Sequence, residues 1–151
     1  MGKADTAATR VVLHRLSGAK KALDLCRLVE ALQLKGRRVA VWFADPGRAA
    51  TLDDYLWTFA QQAFVPHALW DGLDQIEDPV AIVAGPLENP NGAEVLVLGE
   101  RLADPASARA WSEVHDFLTS APEDEGKAEA WQASGFAVQV VEGVAAAKPR
   151  R

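Results

Sequence analysis

Apolar residues recur along this chain in short blocks that switch between two periods, and glycine or proline separates the blocks. Residues 10–16 (RVVLHRL) form a first apolar run, closed by Ser17-Gly18, and predict a strand. Over residues 20–34, Leu23, Cys26, Leu28, Val29, Leu32 and Leu34 fall at helical spacing, and Gly36 is placed to close that helix in a left-handed conformation. Residues 38–43 (RVAVWF) predict a second strand, and Asp45-Pro46-Gly47 after it reads as a turn. Thr51 followed by Asp54 resembles a capping box, which predicts a helix from residue 52 to about residue 61. Two further strands are predicted over residues 79–84 (PVAIVA) and 94–98 (EVLVL), separated by a polar Asn89-Pro90-Asn91-Gly92 turn. Asp104-Pro105 sets an N-cap before a proline at the first helical position and predicts a helix through Ala110, Trp111, Val114 and Leu118. An acidic connection over 120–126 leads to a short helix over 127–134, a stop at Gly135 and a last strand over 136–141 (FAVQVV). Strands and helices alternate, so the prediction is a single α/β domain over 10–141 with a mainly parallel sheet covered by helices. Residues 1–9 and 142–151 are expected to be flexible tails.

The composition changes this picture little. With 151 residues, 49% hydrophobic and 25% charged, the chain is an ordinary globule. A globule of that size hides roughly 70% of its unfolded surface. No apolar run approaches the ~18 residues of a membrane span, and MGKADTAATR lacks a signal-peptide core, so a cytoplasmic chain without membrane contact is expected. A net charge of −5 argues against direct nucleic-acid binding, which draws its affinity from clustered Lys and Arg. The basic cluster of Lys148, Arg150 and Arg151 falls in the expected tail. Cys26 is the single cysteine, which excludes an internal disulfide and a multi-cysteine zinc site; apolar neighbours predict a buried, inert thiol.

The turn after the first strand has one glycine, Gly18, where a dinucleotide fingerprint needs three and a P-loop needs two plus Lys-Ser/Thr, so no cofactor is expected there. His14, His67 and His115 are predicted on a strand, a loop and a helix without a ligand-spaced partner, and they read as hydrogen-bonded structural histidines, not metal ligands. Asp53 and Asp54 are adjacent on a helix and point apart, which disfavours an acid/base dyad; Asp54 reads as a cap. Neither Ser17 nor Ser112 lies in a Gly-x-Ser-x-Gly turn. No catalytic, cofactor-binding or metal-binding residue is assigned. The alternative is a small α/β nucleotide-binding or hydrolase domain with its site at the carboxyl ends of the strands, near Asp45 and Gly85.

The stretch LDDYLWTFAQQAFVPHALW, residues 52–70, is richer. Leu52, Leu56 and Phe59 form a stripe that covers a sheet, whereas Trp57 is rotated from that stripe by roughly 100° or more at 3.6 residues per turn. Burying a large aromatic is worth about 2–3 kcal/mol, so an outward Trp57 implies a covering loop or a covering partner, and both readings stay open. Pro66 stiffens the loop that carries Phe64 and Val65. Leu52-Asp53-x-x-Leu56-Trp57 followed by Phe64-Val65-Pro66-His67-x-Leu69 resembles the signature of the chi subunit of bacterial DNA polymerase III, a clamp-loader accessory protein. Lys35-Gly36-Arg37-Arg38-Val39, Glu113-Val114-x-Asp116-Phe117 and Gly135-Phe136 stand where that family has similar residues, and the resemblance spans about residues 10–141. It implies a Rossmann-like, non-catalytic adaptor that pairs with the psi subunit through a surface holding Trp57, Phe64, Val65 and Pro66. It also implies a site for the acidic C-terminal tail of single-stranded-DNA-binding protein, rimmed in the family by a basic last helix. Here the matching segment is acidic, with Glu125, Ala128 and Glu129 at aligned positions. Like charge opposes a tail there, so tail binding is expected to be weak at Lys127, moved to Arg109 or Arg101, or absent.

Overall fold

The structure, a computed structural model, describes residues 9–18, 20–59 and 65–144. Its elements run β1 (Arg10–Arg15), α1 (Lys21–Leu34), β2 (Val39–Phe43), α2 (Pro46–Phe59), β3 (His67–Leu69), β4 (Val80–Ala84), β5 (Val95–Leu98), β6 (Glu113–Leu118), α3 (Lys127–Ala133) and β7 (Ala137–Glu142). The seven strands form one sheet in the order β3-β4-β2-β5-β6-β1-β7, and every pairing is parallel. This is the α/β, Rossmann-like arrangement expected from the sequence.

Strand alternation sorts the core into two layers. Val39, Val41, Phe43, Val80, Ile82, Val95, Val97 and Phe117 face α1 and α2, meeting Leu25, Cys26, Val29, Leu52 and Leu56. The intervening residues Ala40, Trp42, Ala81, Val83, Leu96 and Leu98 face the other way, against Ala108, Trp111, Trp131 and Phe136. Cys26 is fully buried and burial pushes its thiol up to about 12, so it is an inert core residue. Gly36 takes φ 79°, the left-handed stop expected after α1.

Four elements differ from the sequence expectation. Asp45-Pro46-Gly47 opens α2 instead of forming a turn: Asp45 Oδ1 accepts from the Gly47 N–H at 3.0 Å, and Pro46 is the first helical residue. Thr51 and Asp54 thus lie inside the helix, and Thr51 Oγ1 donates to Gly47 O at 2.9 Å. Beyond Asp104, the helix expected to reach Leu118 is a short 3-10 turn over Pro105–Ala110, followed by β6. His67–Leu69, expected as loop, is an edge strand paired with β4. Thr9 and Gly143, just outside residues 10–141, also bond to the sheet, whereas residues 1–8 and 145–151 lie outside the described residues. Thr9 Oγ1 donates to Trp111 O at 2.7 Å, and the Gly143 N–H donates to Arg15 O at 2.8 Å.

Phe43 closes the sheet's carboxyl end by lying flat over Gly99. A Cβ at Gly99 would meet Phe43 Cε1 at 2.3 Å. Gly99→Ala is therefore expected to displace the ring and cost about 1–3 kcal/mol of unfolding free energy, measured by urea denaturation.

Candidate functional site

The aromatic stretch begins on α2. Leu52 and Leu56 are buried, while Trp57 is 58% exposed on the opposite side of the helix. Its indole does not hang in water. The ring centroid lies 4.7 Å from that of His67, the first residue of β3, at an interplanar angle of 52°. His67 is buried, its Nδ1 lies 2.6 Å from Val65 O, and its Nε2 lies 3.2 Å from Asp53 Oδ1. Asp53 and Trp57 are one helical turn apart, so both reach the same histidine. The edge strand continues the surface: Leu69 stands on the same sheet face as His67 and is 41% exposed.

The residues expected at this surface are not equivalent. Trp57 is exposed and Pro66 half-buried. Val65 is 2% exposed and belongs to the core beside Leu52 and Leu56, so it anchors the loop from below and offers no contact area, contrary to expectation. Phe64 lies outside the described residues. Asp53 and His67 were missed as parts of this surface, although their spacing to Trp57 and Val65 was visible in the chain.

The three cations expected to meet an acidic tail also separate. Lys127, on α3, is 2% exposed, and its Nζ is spent internally: 2.6 Å from Asp124 Oδ1, 3.2 Å from Asp116 Oδ1 and 2.7 Å from Phe117 O. It cannot greet a ligand, which corrects the sequence expectation. Asp116 is equally enclosed, accepting from Trp131 Nε1 at 3.0 Å and from the Phe117 N–H at 2.8 Å. Burial pushes the Asp116 carboxyl up, against the pull of Lys127. Burial acts the same way on Asp124, but hydrogen bonds from Lys127 and Thr119 outweigh it and hold that carboxyl below its ordinary value. Arg101 is exposed and donates to Glu123 O at 2.8 Å and Glu125 O at 2.9 Å, stapling down the acidic connection. Arg109 is exposed, lies 4.4 Å above the Phe136 ring and donates to Ser134 O. Arg101 and Lys127 flank a cavity of about 50 Å³ that Trp131 also lines; Arg109 stands apart from it.

At the carboxyl ends of the strands, a cavity of about 260 Å³ is lined by Lys21, Phe43, Arg48, Thr51, Gly99 and Glu123, among others. The two residues singled out there are used by the fold. The Asp45 N–H donates to Glu100 Oε2 at 2.9 Å, and Gly85 O accepts from Trp42 Nε1 at 2.7 Å. Among the described residues no group of three His, Cys, Asp or Glu side chains is placed to hold a metal ion, and no helix is long and apolar enough to cross a membrane.

By architecture the chain is a small α/β domain with a doubly covered parallel sheet and one exposed indole supported at the sheet's edge. Residues 9–137 match the family described as DNA polymerase III chi subunit, HolC. The chain is also 31% identical over 117 residues to the DNA polymerase III subunit chi of Pseudomonas aeruginosa, covering 76% of this chain and 80% of that protein. The chain belongs to the DNA polymerase III chi subunit family, whose members are accessory subunits of the replicative polymerase.

The buried ion triad generates a prediction. Lys127→Met removes the cation between Asp116 and Asp124 and leaves two enclosed carboxylates facing each other. Unfolding free energy at neutral pH is expected to fall by about 3–5 kcal/mol in a urea titration.

Proposed function

We propose that this chain is a non-catalytic adaptor of the clamp loader that pairs with a psi-type subunit through the surface centred on Trp57. One observation carries the reading: the indole is 58% exposed yet held in place by a buried His67 that Asp53 and Val65 orient. A supported, rotamer-restricted aromatic loses little entropy on docking and gives an interface its energetic centre. Pro66 and Leu69 extend the contact surface, Val65 holds the chain beneath them to the core, and Phe64 adjoins them in sequence. Such a role places the chain in the cytoplasm, with proteins as its partners instead of nucleic acid or membrane.

Trp57→Ala is expected to abolish co-purification with a co-expressed psi-type subunit while changing unfolding free energy by no more than about 1 kcal/mol, since the side chain is largely exposed. Undiminished pairing by a folded variant overturns the reading.

For the acidic C-terminal tail of single-stranded-DNA-binding protein, Arg101 and Arg109 are the exposed cations near α3, and exposed Glu123, Glu125 and Glu129 oppose them. Titration with a tail peptide is expected to give weak, salt-sensitive binding that the double variant R101A/R109A loses. Tight binding indifferent to both substitutions would place the tail elsewhere on the molecule.

A further inference from the structure

Beside Phe117, on the sheet face that α1 covers, a row of polar groups interrupts an otherwise apolar wall. His14 on β1 and His115 on β6 are both buried, at 6% exposure each, with rings 22° from coplanar and His14 Nε2 2.8 Å from His115 Nδ1. The row continues at both ends. His14 Nδ1 lies 3.0 Å from Gly143 O, and His115 Nε2 lies 2.6 Å from Glu113 Oε2.

The protons in this row can be counted. A backbone carbonyl only accepts, so His14 Nδ1 carries a hydrogen. The bond to His115, with help from Arg10, holds the Glu113 carboxyl down at about 2, so at neutral pH it too only accepts and His115 Nε2 carries a hydrogen. Between the rings one nitrogen must donate and the other accept. Four ring nitrogens therefore hold three hydrogens, one more than two neutral imidazoles possess.

We propose that His14 and His115 form one buried proton-binding unit, which in the folded protein at neutral pH keeps a single positive charge shared between the two rings. The neighbours permit it. Asp24 on α1 and Glu113 on β6 attract the charge. Arg10 and Arg37 oppose it, but they meet Glu113 at Oε1, 2.7 and 3.4 Å away, and leave Oε2 to His115. Lys21 lies 5.5 Å from the Phe117 ring and is turned to Gly99 O, and Lys127, on the other face of β6, is held by Asp116 and Asp124. Burial holds His14 below its ordinary value and so works against the charge, while the bond to Gly143 O and the carboxylate of Asp24 work for it; a second proton would in addition set N–H against N–H between the rings. Loss of the first proton would break one of the three bonds in the row.

Because one hydrogen bond joins the rings, a proton gained or lost on one changes the bonding of the other. On the acid side the unfolded chain takes up two protons where the folded one holds one, so stability falls as pH drops below the ordinary histidine range. On the alkaline side the folded chain must release a proton that the unfolded chain has already lost, so stability falls again as pH rises. The unit ties β1 and β6 to the carbonyl that ends β7, making the sheet's last strand the element whose anchoring depends on this proton.

Histidine ring ¹H–¹⁵N correlation spectra of the full chain from pH 5 to 9 test the proposal. Three ring N–H groups on His14 and His115 at pH 7, with both rings reporting each titration step together, are expected. Two ring N–H groups at pH 7, or two independent titration curves, overturn it. In parallel, the folding equilibrium constant of the wild-type chain is expected to fall about tenfold between the maximum and one pH unit above the step that empties the pair. His14→Leu is expected to lose that alkaline decline, and parallel curves for the two proteins count against the shared proton. Should the variant fail to fold, the wild-type spectra decide alone.

Discussion

In a parallel sheet covered on both faces the central strands have no side on which a charged residue meets water, and every polar group there must find its partner inside the protein. The three strands β2, β4 and β5 meet this constraint by carrying apolar residues on both faces. β6 meets it differently. Glu113, His115 and Asp116 are all buried there, on both faces of the strand, and each is closed by a group from another element: Arg10 and His14 from β1, Lys127 and Trp131 from α3. One half of the domain is thus held chiefly by apolar packing, and the other by packing around a polar spine. Removing Lys127 leaves the buried carboxylate of Asp116 without its cation, and the members of the spine depend on one another more than aliphatic neighbours do.

The same economy appears at the opposite edge of the sheet. β3 is three residues long and follows Pro66, so it presents little open backbone. What it presents instead is a side-chain platform: His67 faces inward, its Nδ1 bonded to Val65 O and its Nε2 near Asp53 without a hydrogen-bond partner, and it supports the indole of Trp57 from beneath. The edge is therefore defined by ring and proline, not by unpaired strand, and its support lies in the buried His67 and Val65. Around α3 the arrangement is reversed. The cations there are consumed by the fold, as Lys127 is in the ion triad and Arg101 is in stapling the acidic connection. The charge signs that distinguish this segment from a basic last helix are in part the signs its own packing needs.

Much of the fold was legible in the chain because β2, β4 and β5 are runs of Val, Ile, Leu and Ala bounded by turn residues, and α1 carries a clear apolar stripe. β6 was not, because Glu-Val-His-Asp-Phe-Leu places polar residues on both faces, and only partners from distant elements make it a central strand. The opening of α2 was ambiguous for a local reason. Asp-Pro-Gly serves equally as a turn or as a cap with proline at the first helical position, and the hydrogen bond from Gly47 to Asp45 decides between them. Of the candidate site, the outward direction of Trp57 followed from helix rotation, whereas the burial of Lys127 and Val65 did not follow from anything near them. Lys127 is enclosed by Asp116, eleven positions earlier, as well as by Asp124, and a charge with such partners reads in sequence as an ordinary surface lysine.

The exposed indole gives the molecule a built-in optical handle. Trp42, Trp111 and Trp131 are sealed in the layer beneath the sheet, Trp70 is half-covered, and Trp57 alone of the five is mostly open to solvent. Small water-soluble quenchers therefore reach one emitter far more readily than the others. The red edge of the fluorescence spectrum belongs chiefly to that position, so the chain reports events at the edge of its own sheet without an attached dye.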